Sequence, residues 1–243
     1  MTAQATGILS GLTLATAVAE EAGLSVRARA ADGDPVRPGT LVLELTGPAR
    51  AILAAERTVL NALMHLSGVA SATARARRAV GPSGPEVWAT RKTLPGFRDL
   101  EKAAVVHGGG HPHRRDLSDG ILVKNNHVAL VPLPLAVRRA KARARGRAVQ
   151  VEVRSLAEAV AAVDAGADAL LIDNASPAMA TRLIRGLASA GRRRGVRVEL
   201  SGGITPANAR NYRATGADSL SLGALTHSAA ALPFHLAVVP VRR

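Results

Sequence analysis

Short apolar runs alternate with longer amphipathic stretches along the second two thirds of the chain. Short runs are typical of buried strands, whereas apolar residues that recur every three to four positions are typical of helices. The short runs predict six strands, at residues 87–90, 121–124, 149–153, 169–173, 196–200 and 219–222. Because apolar strands that alternate with helices pair in parallel, the pattern predicts a parallel sheet covered by helices.

Three of the predicted helices carry start signals in the sequence. Ser155 opens a capping box, and Ser176 and Thr205 each precede a proline that would occupy the first helical position. Gly166 and Gly216 follow helical stretches, where a left-handed residue is expected. Helices are therefore predicted to begin near residues 155, 176 and 205.

The first eighty residues follow a different pattern, without regular alternation of strands and helices. It predicts a strand at 7–11, a helix at 14–22, strands at 24–30 and 40–46, and a long helix at 49–80. A break in the long helix is predicted near Ser67 and Gly68. This part is predicted to be an α+β layer that forms its own domain at residues 1–80.

Polar residues and one glycine stand at the carboxyl ends of the predicted strands. They are Lys124, Glu152, Asp173, Ser201 and Gly223. A barrel would gather all of them at one rim, where barrel enzymes place their active sites. A doubly wound sheet would also bring some of them together, but no Gly-x-Gly-x-x-Gly turn follows the first strand. The sequence therefore favours a barrel.

Composition agrees with an enzyme of one large or two modest domains. The chain has 243 residues, no cysteine and a net charge of +14 at pH 7. Such a basic chain attracts polyanions, but its aromatic side chains are not interleaved with the charges as in single-strand binders. No apolar stretch reaches the roughly 18 residues of a membrane span. We therefore expect a cytoplasmic protein without a membrane partner or a specific nucleic-acid partner.

A group of basic residues lies among glycine-rich turns and short strands. Arg91, Lys92, Arg114 and Lys124 stand at such positions, and His113 precedes Arg114. Arginine offers a rigid fork for carboxylate or phosphate, and lysine offers a mobile point charge. Because side chains at turns and strand ends converge on clefts, the group predicts a polyanion site. The alternative is a solvated basic face.

Short motifs along nearly the whole chain resemble those of one enzyme family. The basic region has Thr-Arg-Lys-Thr-Leu-Pro-Gly at 90–96, Glu-Lys-Ala-Ala-Val at 101–105, glycines at 108–110, His113-Arg114 and Lys124-x-Asn126-His127. Further motifs lie at residues 55–61, 66–68, 151–153, 171–174, 201–203 and 223–228. Together they resemble the quinolinate phosphoribosyltransferase family, also called nicotinate-nucleotide pyrophosphorylase (carboxylating).

The resemblance implies an α/β fold and a domain organisation. An open (β/α) barrel-like domain with a parallel sheet is expected at residues 81–243, beside an N-terminal α+β sandwich domain at residues 1–80. The last strand or helix could return to the first domain. The family transfers phosphoribose from phosphoribosyl pyrophosphate (PRPP) to quinolinate, and the product, nicotinate mononucleotide, serves NAD biosynthesis.

The resemblance also assigns residues to the acid acceptor. Arg91, His113, Arg114 and Lys124 would bind the two carboxylates of quinolinate, and Arg57 would reach the same pocket from the neighbouring subunit. The protein is then expected to be a homodimer with shared active sites, or a larger oligomer. For His113, the alternative is a structural histidine.

The other assignments belong to the PRPP side of the site. By the resemblance, Glu152 and Asp173 face the ribose hydroxyls and the Mg²⁺ ion that accompanies PRPP, while Lys92 meets the diphosphate. With Lys124, these three are the expected catalytic residues; for the two carboxylates, the alternative is charge balance. Glycines let backbone N–H groups approach phosphate oxygens, and a helix beginning near Thr205 would add its positive end. The expected phosphate-binding residues are Ser201, Gly202, Gly203, Gly223 and Ala224.

Three departures from the family pattern leave the acceptor open. Pro112 replaces the usual asparagine before the His-Arg pair, and Asn125 replaces the acid that usually follows the lysine of the Lys-x-Asn-His motif. The chain also starts later than typical members. The first alternative is therefore a divergent paralogue that uses another pyridine or aromatic carboxylate. The second is a non-catalytic polyanion-binding module, which would gain nothing from Glu152 and Asp173.

Overall fold

The structure is a computed structural model that describes residues 1–240 and divides into two compact units. The first unit comprises Met1–Arg75, Leu94–Gly110 and the described residues from Leu225 onward. The second unit comprises Ala76–Thr93 and His111–Ala224. Each unit is therefore built from separate stretches of the chain.

Three antiparallel pairs of short strands and two ten-residue helices belong to the first unit. The strands are β1 (Thr2–Ala3) paired with β12 (Phe234–His235), β2 (Gly7–Ile8) with β4 (Pro35–Val36), and β3 (Ser25–Ala28) with β5 (Leu43–Thr46). The helices are α1 (Leu12–Glu21) and α3 (Arg98–His107). The helix and strands predicted before residue 47 are confirmed, with bounds shifted by a few residues.

One helix of 32 residues, α2 (Ala49–Val80), follows β5. The break predicted near Ser67 and Gly68 is wrong, because both residues make tertiary contacts from within an unbroken helix. The buried Ser67 hydroxyl accepts a hydrogen bond from the Ser10 N–H at 2.9 Å and donates one to the Ser10 carbonyl at 3.0 Å. A Cβ added at Gly68 would lie 2.4 Å from the Ala230 carbonyl oxygen, so only glycine fits without a shift of the backbone.

Six parallel strands form the sheet of the second unit. In chain order they are β6 (Glu86–Trp88), β7 (Ile121–Val123), β8 (Val149–Val153), β9 (Ala169–Asp173), β10 (Arg197–Ser201) and β11 (Ser219–Ser221). Their order in the sheet is β6-β11-β10-β9-β8-β7, so β6 and β7 are its edges. This is the order of a barrel left open between two strands. The predicted strands and the α/β open-barrel class are confirmed.

The remaining helices are α4 (Asn125–Val128), α5 (Leu133–Arg143), α6 (Leu156–Asp164), α7 (Pro177–Ser189) and α8 (Ala224–His227). The predicted starts of α6 and α7 are confirmed, since the Ser155 and Ser176 hydroxyls accept hydrogen bonds from the N–H groups of Glu158 and Met179. No helix among the described residues is long and apolar enough to cross a bilayer.

The α-helix predicted to begin near Thr205 is wrong. Turns and a short 3-10 helix (Ala209–Tyr212) occupy that segment. The Asn208 side-chain oxygen accepts a hydrogen bond from the Thr205 N–H at 2.9 Å, and its amide donates to the Gly203 carbonyl at 3.0 Å. An asparagine that bonds nearby backbone groups in this way competes with helical hydrogen bonds, so the chain turns here instead.

Replacing Gly68 with alanine should destabilise the protein. The added methyl group would overlap the Ala230 carbonyl, and overpacking of this kind costs about 1–3 kcal/mol. Chemical denaturation measures the free energy of unfolding, and Thr58→Ala on the exposed side of α2 is the control. If Gly68→Ala is as stable as the control, the close approach at Gly68 is wrong.

Candidate active site

The alternation of side chains along the strands places several predicted site residues in one cavity. Residues two apart on a strand point to the same face of the sheet. Lys124, Glu152, Asp173 and Ser201 lie at or next to the carboxyl ends of β7, β8, β9 and β10, and Ser201 pairs in register with Asp173. All four line a cavity of about 400 Å³ in the second unit.

Eight predicted residues and five others line this cavity. The predicted ones are Arg91, Lys92, His113, Arg114, Lys124, Glu152, Asp173 and Ser201. The others are Thr90, Leu122, Leu171, Glu199 and Ser221. The basic residues thus line a cleft together with carboxylates, which disfavours a solvated basic face.

Arg91 and Arg114 bring two positive charges together in the cavity. The pKa of Arg114 is lowered by burial and by the charge of Arg91, while Glu199 acts in the opposite direction. The Arg91 Nε is buried and has no hydrogen-bond partner in the described part of the chain. A buried donor without an acceptor costs about 1–3 kcal/mol, and more when it is charged. The site therefore suits an anionic ligand.

Two asparagines hold the predicted catalytic carboxylates. The Asn125 amide donates to Glu152 Oε1, and the Asn174 amide donates to Asp173 Oδ2 at 2.7 Å. Residue 125, where the family usually has an acid, is thus a hydrogen-bond donor in this chain. Among residues 1–240, no group of three histidine or acidic side chains could hold a metal. Two carboxylates suit Mg²⁺, which keeps several waters and takes further oxygens from phosphates.

The glycines predicted to bind phosphate follow two neighbouring strands. Gly202 and Gly203 directly follow β10, while Gly223 and Ala224 come just after β11. At Gly202, φ is 88° and a Cβ would lie 2.2 Å from the Asn174 Oδ1, so the turn requires glycine. Ser201 is the member of this predicted set that lines the cavity. The positive helix end expected near Thr205 is replaced by turns.

Glu199 is the main site residue that the sequence reasoning missed. It is 4% exposed on β10, and its Oε2 lies 3.3 Å from the His113 Nε2. Burial raises the pKa of Glu199, but a hydrogen bond and an electrostatic interaction with His113, together with hydrogen bonds from Ser221 and Gln150, outweigh this effect and hold the pKa below its ordinary value. The signal was one charged residue within an apolar run, two positions before the end of the strand.

Arg57 lies in the first unit, on α2. Its side chain is 73% exposed, and one guanidinium nitrogen lies 3.9 Å from a Glu56 carboxylate oxygen. Such an exposed ion pair contributes little to stability. Its assignment to a site shared between subunits stays a prediction.

Two family models together match almost the whole chain. The quinolinate phosphoribosyl transferase N-terminal domain matches residues 1–67, and the C-terminal domain of the same enzyme matches residues 69–237. The N-terminal-domain model thus precedes the C-terminal-domain model along the chain.

Curated relatives and a solved structure agree with these matches. The chain is 40% identical over 240 residues to "Probable nicotinate-nucleotide pyrophosphorylase (carboxylating)" of Archaeoglobus fulgidus, across 96% of this chain and 91% of the relative. It is 40% identical over 242 residues to the Homo sapiens nicotinate-nucleotide pyrophosphorylase (carboxylating), across 96% of this chain and 80% of the relative. A crystal structure of NadC from Streptococcus pyogenes is 40% identical with a TM-score of 0.87, across 96% of this chain and 82% of that chain.

Proposed function

The chain belongs to the quinolinate phosphoribosyltransferase family, and we propose that it transfers the phosphoribosyl group of PRPP to quinolinate. In this reaction the pyridine nitrogen becomes bonded to C1 of the ribose, diphosphate leaves, and carbon dioxide is released to give nicotinate mononucleotide. The observation that carries the proposal is the buried Nε of Arg91, which has no hydrogen-bond partner among residues 1–240 and lies beside Arg114 in a cavity that is also lined by three carboxylates. A module for binding polyanions would have no use for those carboxylates.

The acceptor half of the site has the charges that quinolinate needs. Quinolinate carries two adjacent carboxylates, and each matches the fork of an arginine guanidinium. Arg91 and Arg114 supply two such forks, and Lys124 supplies a further positive charge in the same cavity. These residues thus have the charge and shape to hold a planar dicarboxylate.

The donor half contains two of the three cavity carboxylates, and Lys92. Glu152 and Asp173 would hold the ribose hydroxyls and Mg²⁺, and Lys92 would hold the diphosphate. When bound, the metal ion neutralises charge on the leaving diphosphate. The residues that would bind phosphate through the turns after β10 and β11 are Ser201, Gly202, Gly203, Gly223 and Ala224.

The reaction depends mainly on orientation and charge. The pyridine nitrogen uses a free lone pair to attack C1 as the bond between C1 and the diphosphate oxygen breaks, so no general base is required. The cationic residues hold the two anions in line and stabilise the charge on the departing diphosphate. The quaternised nitrogen then stabilises the ring carbanion that forms when the adjacent carboxylate leaves as carbon dioxide. A proton from solvent completes the product.

An acceptor panel tests this function. The protein is incubated with PRPP, Mg²⁺ and quinolinate, and equal release of diphosphate and carbon dioxide is expected. Other pyridine and aromatic carboxylates serve as competing acceptors, because Pro112 and Asn125 depart from the family pattern. Turnover with another acid alone would assign a divergent acceptor, and no diphosphate release with any acid would refute the enzymatic function.

Removing either cavity arginine should weaken binding of the acid far more than binding of PRPP. Loss of the charged partner of a buried carboxylate costs about 3–5 kcal/mol, or on the order of a hundredfold or more in affinity. Calorimetric titration of each ligand with Arg91→Ala and Arg114→Ala measures this, with exposed Arg182→Ala on α7 as the control. Equal losses of affinity for both ligands would mean that the assignment of these arginines to the acid is wrong.

Asp173→Asn should lower turnover at least about tenfold while the fold survives, since the change removes charge without volume. The wild-type enzyme should lose activity in EDTA and recover it when Mg²⁺ is added. Steady-state assays and thermal melts check both points, with Asp164→Asn at the end of α6 as the matched control. Undiminished turnover in EDTA would contradict the magnesium assignment.

We further propose that the active unit is a homodimer in which Arg57 serves the partner's site. This proposal rests on an exposed arginine with one distant local acid, and on the family assignment of that position. A mixing experiment separates this arrangement from a role within one chain. Arg57→Ala and Lys124→Ala homodimers should each be inactive, because each would lack one essential cation at both sites.

Mixing the two variants should restore about a quarter of wild-type activity. Half of randomly reassembled dimers are heterodimers, and one of the two sites in each draws both residues from intact copies. Arg50→Ala, which removes another exposed arginine of α2, should remain fully active by itself. Inactive heterodimers, verified by two purification tags, would show that Arg57 does not act in trans.

A further inference from the structure

A buried carboxylate lies among the cations of the acceptor site. Glu199 is 4% exposed and lines both the main cavity and a smaller one of about 190 Å³. His113 and Arg114 also line both cavities. The negative charge of Glu199 would repel a dianionic ligand. The presence of this carboxylate in the site therefore requires another explanation.

Hydrogen bonds fix the position of this carboxylate. Gln150 Nε2 donates to Glu199 Oε2 at 2.9 Å, and His113 Nε2 lies 3.3 Å from the same oxygen. Together with the electrostatic interaction with His113 and a hydrogen bond from Ser221, these contacts keep the pKa of Glu199 below its ordinary value despite burial. Glu199 is therefore ionised at neutral pH and accepts through Oε2, while its buried Oε1 has no hydrogen-bond partner among the described residues.

His113 is held at both ring nitrogens. Its Nδ1 accepts a hydrogen bond from the Arg114 backbone N–H at 2.6 Å, so the ring hydrogen resides on Nε2 and points to Glu199. The Trp88 ring packs against the imidazole edge to face, with 5.2 Å between centroids. The backbone φ of His113 is 55°, a value that residues with side chains rarely adopt and that surrounding contacts must maintain.

We propose that Glu199 is a positioning residue that acts through His113 to hold Arg114 in place for the acid acceptor. The chain of contacts runs from the Glu199 carboxylate through the imidazole to the Arg114 backbone, and the Arg114 guanidinium donates to the Gly120 carbonyl at 3.3 Å. In this arrangement both ring nitrogens of His113 contact protein groups. We call the contact between Glu199 and His113, which holds Arg114, the brace. The inference rests on the proposed function, since it concerns the residues assigned to quinolinate.

A double-mutant cycle with separate titrations of quinolinate and PRPP with Mg²⁺ tests the brace. Glu199→Ala and His113→Ala should each lower affinity for quinolinate about tenfold or more, as loss of an orienting partner does elsewhere, and should leave PRPP affinity unchanged. The double variant should bind quinolinate no more weakly than the weaker single variant, because both changes remove one brace. Additive losses, or equal losses for the two ligands, would overturn the proposal.

Glu199→Gln provides the conservative variant, and its comparison with His113→Ala carries the test if Glu199→Ala does not fold. Its side-chain oxygen still accepts from His113, so quinolinate affinity should lie closer to wild type than that of His113→Ala. Asp168→Asn, which removes a carboxylate paired with Lys141 elsewhere in the unit, should leave both affinities unchanged. Wild-type protein that binds no quinolinate would refute the proposed function itself, whereas wild-type binding that Glu199 variants leave intact would refute only the brace.

Discussion

Like charges held together in one cavity are the constraint on which the rest of the structure depends. Two unit charges 4 Å apart repel by about 4 kcal/mol at the effective dielectric near a protein surface, so an empty cluster of arginines and lysines opposes folding. The other face of the same strands offsets this repulsion by apolar packing, since Val149, Val151 and Val153 of β8 are fully buried. The residues that line the cavity and the residues that pack in the core thus lie on opposite faces of each strand, because successive side chains point to alternate faces.

The strands were predictable because their signal is local. Apolar runs of the right length between turn residues specify β8 and β9 without reference to the rest of the fold. The predictions were wrong where a contact with a distant segment or a side chain determines the backbone conformation. A glycine within α2 looks like a break until the Ala230 carbonyl is seen against it, and a serine or threonine before proline starts a helix only if no nearby asparagine bonds the same backbone.

Site residues at strand ends could be predicted for a related reason. Parallel strands bring their carboxyl ends to one edge of the sheet. A polar residue at the end of a predicted strand, such as Asp173, can therefore be placed at that edge from the sequence. Glu199 gave a weaker signal, because a single charge inside an apolar run has no meaning until its partner is known. That partner, His113, comes from a segment without regular structure whose path no periodicity describes. Arg57 was assigned by resemblance alone.

The open edge of the barrel divides the site by origin. Arg91 follows β6 and Arg114 precedes β7, the two edge strands, whereas Glu152, Asp173 and Ser201 come from the continuous run of paired strands β8, β9 and β10. Two of the residues proposed for the acceptor therefore lie in short segments that border the open edge of the sheet, and an isolated parallel bridge between Trp88 and His111 connects these segments. Pro112 lies in the second of these segments, outside the paired strands β8, β9 and β10 that position Glu152, Asp173 and Ser201. Under the proposed assignment, a change in either segment would alter the choice of acid while the strands that carry Glu152 and Asp173 keep their pairing.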